Sequence, residues 1–273
     1  MKRILTPAII LISTVLIFNG CKKQAPADTE TVTATDNSIC ETEYMRLLPT
    51  INKIAIDDAG VHRSGPGSYV ASTCPVVTVP DSLLAYPRHM IIDYGQGCPD
   101  PVDGKTRKGK IRCTFSAPWN TIGAIVSIEM DTFFVGDIQF EGTTTLTRLS
   151  PTSFTKKVTN GKCIKGSSWT ILYHADRTIT ISSGANASTD PQIITISDTN
   201  GGMNGGTDRN GNIWTSSITS PIVRDLGCTW ITKGVVTISP DGKSPRTVDF
   251  GDGTCDSKAT ISINGNKFEF TMQ

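Results

Sequence analysis

The sequence lacks the features that would give it an obvious chemistry. It has no excess of basic charge: 26 Lys and Arg stand against 25 Asp and Glu. A nucleic-acid binder would carry a marked surplus of cations, so that class of partner is excluded. Histidine is scarce, and His62, His89 and His174 are scattered, with no His-Glu-x-x-His. There is no Cys-x-x-Cys, no phosphate-binding glycine loop, no dinucleotide fingerprint and no Gly-x-Ser-x-Gly elbow. The expectation is therefore a protein without enzymatic activity and without a cofactor.

What is present begins at the N-terminus. Lys2 and Arg3 precede an apolar run from Ile4 to Phe18, too short to be a stable membrane span. Asn19, Gly20 and Cys21 follow. A small residue directly before cysteine at the end of such a run resembles a bacterial lipoprotein signal. The resemblance implies a signal peptide over 1–20 and lipid on Cys21, palmitate included. Residues 21–37 are small and polar and read as the anchor followed by a flexible tether.

Ser38-Ile-Cys-Glu41 has the form of a capping box, and Tyr44, Leu47, Leu48, Ile51 and Ile54 follow at helical spacing. Pro49 interrupts them, so the segment 38–70 reads as two short helices or one kinked helix, then a loop. From about residue 71 to 273 the chain reads as strands, with clear alternation in 178–182, 259–263 and 268–272. Asn264-Gly265 is the preferred pair for a two-residue hairpin, setting Ile263 opposite Asn266 and Ala259 opposite Phe270. Asn160-Gly161 and Asn210-Gly211 are further turn candidates, and Gly201 to Gly211 reads as a mobile loop. The fold class is all-β, one antiparallel sandwich or curved sheet, preceded by a short N-terminal helical segment.

A repeat organises the β region. Ile91-Ile-Asp-Tyr-Gly-Gln-Gly-Cys-Pro-Asp100 and Thr247-Val-Asp-Phe-Gly-Asp-Gly-Thr-Cys-Asp256 share a pattern, each with an earlier cysteine, Cys74 and Cys228. Exported chains meet an oxidising compartment, so disulfides are expected. A regular hairpin around Pro240-Asp-Gly-Lys243 sets Val235 opposite Val248 and, continued, Cys228 opposite Cys255. Cys74 and Cys98 follow by analogy, Cys113 and Cys163 are third partners, and Cys40 is left over. The two Cys-bracketed units are expected to pair with each other. The acidic clusters Asp93, Asp100, Asp103 and Asp249, Asp252, Asp256 offer hard oxygen ligands amid glycines, so calcium is possible there. The bland alternative is that these carboxylates accept hydrogen bonds within their own turns. Lys105 to Lys110 is a basic run and reads as a solvated hairpin arm. Four tryptophans, Trp119, Trp169, Trp214 and Trp230, are either core residues or a sugar-stacking face.

The run Asp103-Gly-Lys-Thr-Arg-Lys-Gly-Lys-Ile111, with Phe134-Val-Gly-Asp-Ile-Gln-Phe-Glu-Gly-Thr143 and the C-terminal Asp249-Phe-Gly-Asp-Gly-Thr-Cys-Asp256, resembles a group of uncharacterised Bacteroidota cell-envelope lipoproteins. The likeness runs from about Cys74 to the C-terminus. It implies an outer-membrane lipoprotein with an all-β body, held to the membrane by lipid, on the surface or the periplasmic face. It implies no activity. Cys113 and Cys163 stand where apolar strand residues are expected in such proteins, which fits an extra disulfide or two buried thiols. The functional expectation is a non-enzymatic binding or structural module, with a calcium-stabilised module or a glycan-acting hydrolase as alternatives.

Overall fold

The computed structural model describes residues 28–57, 74–80, 86–100, 103–182 and 192–272, with helical side chains as far as Asn52. The signal peptide, Cys21, residues 22–27 of the tether and the loop around His62 lie outside the described residues. Among the described residues one helix, α1 (Val32–Asp57), precedes fifteen strands. They are β1 (Val76–Thr78), β2 (Arg88–Asp93), β3 (Cys98–Pro99), β4 (Thr106–Phe115), β5 (Ile125–Val135), β6 (Ile138–Arg148), β7 (Ser153–Lys165) and β8 (Trp169–Ser182). Then come β9 (Ile193–Asp198), β10 (Gly205–Thr207), β11 (Ile213–Asp225), β12 (Lys233–Pro240), β13 (Arg246–Asp252), β14 (Lys258–Ile263) and β15 (Asn266–Thr271). The all-β expectation holds in the form of one continuous antiparallel sheet.

The sheet is a meander in which neighbours in sequence are almost always neighbours in space. β9 and β10 share one lane between β8 and β11, β9 against Arg177–Ser182 and β10 against Leu172–His174. The gap between them is patched by side chains: Asp198 accepts the Ile218 amide at 2.8 Å, and Asn204 accepts the Asp176 amide at 2.7 Å. Buried backbone groups need such partners where a ladder stops.

Strand alternation explains which residues turn inward. In β8, Ile171, Tyr173, Ala175, Arg177 and Ile179 are buried while their neighbours are not. The curved sheet encloses α1, whose side chains from Thr33 to Ile51 are almost all buried. The helix therefore forms the centre of the molecule.

Several expectations change here. The helix starts at Val32, so residues 32–37 of the expected tether are helical and Asp36 and Asn37 are fully buried. Glu30 replaces Ser38 at the cap, its carboxylate accepting the Thr33 amide at 3.0 Å. Ser38 lies inside the helix and donates to the Ala34 carbonyl. The helix runs through Pro49 as a single element.

The glycine-rich segment is part of the sheet. Gly205 and Gly206 pair with both β8 and β11. A Cβ on Gly206 would lie 1.9 Å from the Leu172 carbonyl oxygen and 2.7 Å from the Trp214 ring. Those glycines serve close approach, not mobility. Asn160-Gly161 is a bulge within β7, where the register shifts between Val158 and Gly161. Asn210 and Gly211 do form a turn, and the Asn264-Gly265 hairpin has the expected register, Ile263 opposite Asn266 and Ala259 opposite Phe270.

The β12–β13 hairpin is slipped by one residue from the expectation: Val236, not Val235, faces Val248. The connection is one residue longer than drawn, and the observed register puts Val236 and Val248 together in the core. The two Cys-bracketed units are not paired: β2 joins β1 and β4, whereas β13 joins β12 and β14.

Candidate functional site

The last strand of the meander comes back toward the β5–β6 hairpin and leaves a cleft over one side of α1. Its volume is about 400 Å³. Ile39 of the helix forms the floor, Val135, Ile138 and Phe140 one wall, and Phe270 and Met272 the other. Glu43 and Lys105 stand at the charged end. Glu43 belongs to a turn of helix facing inward, and Lys105 immediately precedes β4.

The charged end is the rim of a buried network. Glu43 Oε1 receives Lys105 Nζ at 3.1 Å and also the Arg46 guanidinium. Arg46 Nε lies 3.0 Å from Asp103, and its Nη2 donates to the Thr229 carbonyl at 2.9 Å. Arg107 grips Asp103 with two bonds of 2.7 and 3.0 Å, and Tyr94 donates to Asp100 at 2.5 Å. Burial alone would raise the Asp103 carboxyl, but Arg107 and Arg46 bring it below the usual carboxylate range. Burial lowers the Lys105 ammonium despite Glu43. Glu43 is one of the residues lining the cleft, and its Oε2 is buried without a hydrogen-bond partner.

The same logic repeats along the helix. Acids on or just before α1 meet bases of the β region: part-buried Glu30 with Arg246 of β13, buried Asp36 with Arg209 of the turn between β10 and β11, and buried Glu41 with Arg177 of β8 and Lys156 of β7. Burial works against the charged Glu41, but Arg177 and Lys156, with hydrogen bonds from Arg177 and Tyr173, bring its carboxyl down to about 2. Burial lowers Lys156 to about 8.

The acidic clusters are not assembled for a metal. Asp249, Asp252 and Asp256 each accept the amide two residues on, from Gly251, Thr254 and Lys258. Asp93 does the same with Gly95 and holds Lys110 at the surface, at 2.8 Å. Asp100 and Asp103 are close to each other, but Arg107 lies between them where a cation would have to sit. Among the described residues no three His, Cys, Asp or Glu side chains converge as a metal site requires.

Cys74 bonds to Cys98 and Cys228 to Cys255, with Cα separations of 6.1 and 5.8 Å. Cys98 lies in β3, whereas Cys228 and Cys255 both lie in loops beside the strands, so the second bond does not depend on the slipped ladder. Cys113 does not meet Cys163. Their strands are separated by β5 and β6, a span of roughly 14 Å at about 4.8 Å per step. Cys163 lies beside Cys40 instead. Trp119 and Trp214 are buried and donate to Asn52 and Asn37 of the helix, so they are core residues. The basic run is no solvated arm: Arg107 turns inward and Lys105 reaches Glu43.

Sequence reasoning missed Glu43, Arg46, Lys105 and Arg107. A usable signal exists in β8, where Arg177 occupies an inward position between Ala175 and Ile179. A charge in an apolar period-two row requires a buried partner of opposite sign.

No protein-family model, curated protein or solved structure matches this chain.

Proposed function

We propose that the chain is an outer-membrane lipoprotein, anchored through lipid on Cys21, whose β body is a non-enzymatic binding module with its ligand site in the cleft beneath β15. The N-terminal pattern Lys2-Arg3, apolar run, Gly20-Cys21 supports the anchor. Among the described residues no helix is long and apolar enough to cross a membrane. The observation that carries the binding reading is that Glu43, whose buried Oε2 has no hydrogen-bond partner, lines the cleft together with an apolar patch of Ile39, Phe140, Phe270 and Met272, among threonines and Lys105.

Such a lining selects a ligand with an apolar body and an N–H donor head. Apolar burial supplies the affinity, at about 0.8 kcal/mol per methylene. The buried carboxylate oxygen fixes orientation, because a ligand that satisfies it removes an unmet acceptor. The protein would hold its ligand without transforming it.

The reading is tested with hexylamine and hexanoate, which share a chain and differ in head charge. Hexylamine is expected to raise the Tm of the full chain and hexanoate to leave it unchanged. Phe270→Ala should weaken the amine about tenfold through lost apolar contact. Equal responses to the two probes, or none to either, would remove the cleft as the ligand site.

A further inference from the structure

Cys40 and Cys163 come from opposite layers of the molecule, the helix and β7, yet their sulfurs are 2.7 Å apart. A disulfide is about 2.05 Å long, so the pair lies within about 0.7 Å of bonding distance. Both side chains are fully buried. Among the described residues the one other free cysteine, Cys113, is buried on β4, across β5 and β6 from Cys163.

The approach is held from several sides. Tyr44, one turn beyond Cys40, donates to the Glu141 carbonyl at 2.6 Å and accepts the Lys162 amide at 3.0 Å. Its ring stacks on Tyr173 at 5.4 Å. These contacts bind the helix to β6, β7 and β8 directly next to Cys163. The bulge at Gly161 makes room for them, since a Cβ there would press within 3.1 Å of the Tyr44 hydroxyl.

We infer that Cys40 and Cys163 form a third disulfide in the exported protein, pinning the central helix to the sheet. The oxidant is a protein or small-molecule disulfide of the cell envelope. One thiolate attacks a sulfur of that disulfide, forming a mixed disulfide and releasing one thiol. The second thiolate then attacks the protein sulfur, closing the cystine and releasing the second thiol. Two protons and two electrons leave the pair, and the oxidant is reduced to its dithiol form. Burial, and the neighbouring Cys163 sulfur, push the Cys40 thiol well up. The thiolate is therefore scarce once the core has closed, so the bond forms while the helix is still reachable and resists reductants afterwards.

The inference rests on the export reading for its oxidant, and the experiment separates the two. The exported full chain is acid-quenched, unfolded without reductant, alkylated and mapped by mass spectrometry. Expected are three cross-linked peptide pairs, Cys40–Cys163 among them, with label on Cys113. If Cys74–Cys98 and Cys228–Cys255 are closed while Cys40 and Cys163 both carry label, the third disulfide is refuted and export stands. If all six carry label, export to an oxidising compartment is refuted. Refolding the reduced chain with oxidised glutathione then decides the pairing alone: closure of Cys40 with Cys163 supports it, and two bonds without it, or a Cys113 cross-link, overturn it.

Discussion

The Arg177 guanidinium of β8 reaches Glu41 of the central helix at 2.6 Å, with both side chains sealed from solvent. Tyr173 donates to the same carboxylate at 2.7 Å. Removing one partner of a buried pair leaves the other uncompensated, which costs about 3–5 kcal/mol. Glu41→Gln should lower the unfolding free energy obtained from urea titration by that amount, whereas Tyr173→Phe, which removes one hydrogen bond, should cost about 1–2 kcal/mol. The pH dependence follows from the depressed carboxyl, at about 2 in the fold against 4.5 as the reference value. Its contribution is complete above pH 4.5 and is lost as pH falls from 4.5 through 2. The wild type should lose about 3 kcal/mol across that window from this group, and Glu41→Gln should not.

Lys156 behaves oppositely. It is fully buried, its ammonium has no hydrogen-bond partner, and Glu41 is 3.9 Å away. Its folded value of about 8 lies below the reference 10.5, so between those pH values the unfolded chain holds a proton that the folded chain has released. Stability from this group therefore rises with pH from 8 to 10.5. Lys156→Met should abolish that rise and leave stability at pH 7 unchanged or higher, since Arg177 still serves Glu41. Denaturant midpoints across the alkaline range measure it.

Gly206→Ala should break the short lane of β10. The added carbon meets the Leu172 carbonyl at 1.9 Å, and neither backbone can yield without opening a ladder. A loss of about 2–4 kcal/mol is expected. Gly123 has nothing within 4 Å and a φ of +84°, so Gly123→Ala should cost only about 1 kcal/mol through backbone strain. Thermal melts of the two variants compare crowding with strain.

Calcium should leave the melting temperature where it is. A ligand that binds only the folded state raises Tm with concentration. The aspartates of the two repeats are already committed to their own turns or to Arg107. Superimposable melts in calcium and in chelator are the expected outcome.

Cys21→Ser should move the protein from the membrane fraction to the soluble fraction and abolish palmitate labelling. Fractionation of cells expressing each form reads this directly, because lipid is the only anchor the N-terminal pattern supplies.

The sequence discloses local features well and remote ones poorly. Asn264-Gly265 sets its hairpin register because turn chemistry and alternation act over a few residues. The start of the helix is hidden because Thr31 to Asn37 has the composition of a tether. Its polar side chains are acceptable in the core only because Arg209 and Trp214 answer Asp36 and Asn37 from more than 170 residues away. The cleft is likewise assembled from residues 39, 43, 138 and 270, which no window of sequence brings together. The β12–β13 slip has a nearer cause, since a connection one residue longer reverses which valine faces inward.

The position of α1 also sets an order on the chain's biogenesis. Arg246 bonds Glu30 and Asp28 across more than 215 residues, so the segment synthesised first completes its contacts only after β13 has emerged. A chain ending upstream of residue 243 would lack both Lys243 and Arg246, the bases that meet those two acids. The earliest segment made is the last to be enclosed, and C-terminal truncation should be felt first at the N-terminus.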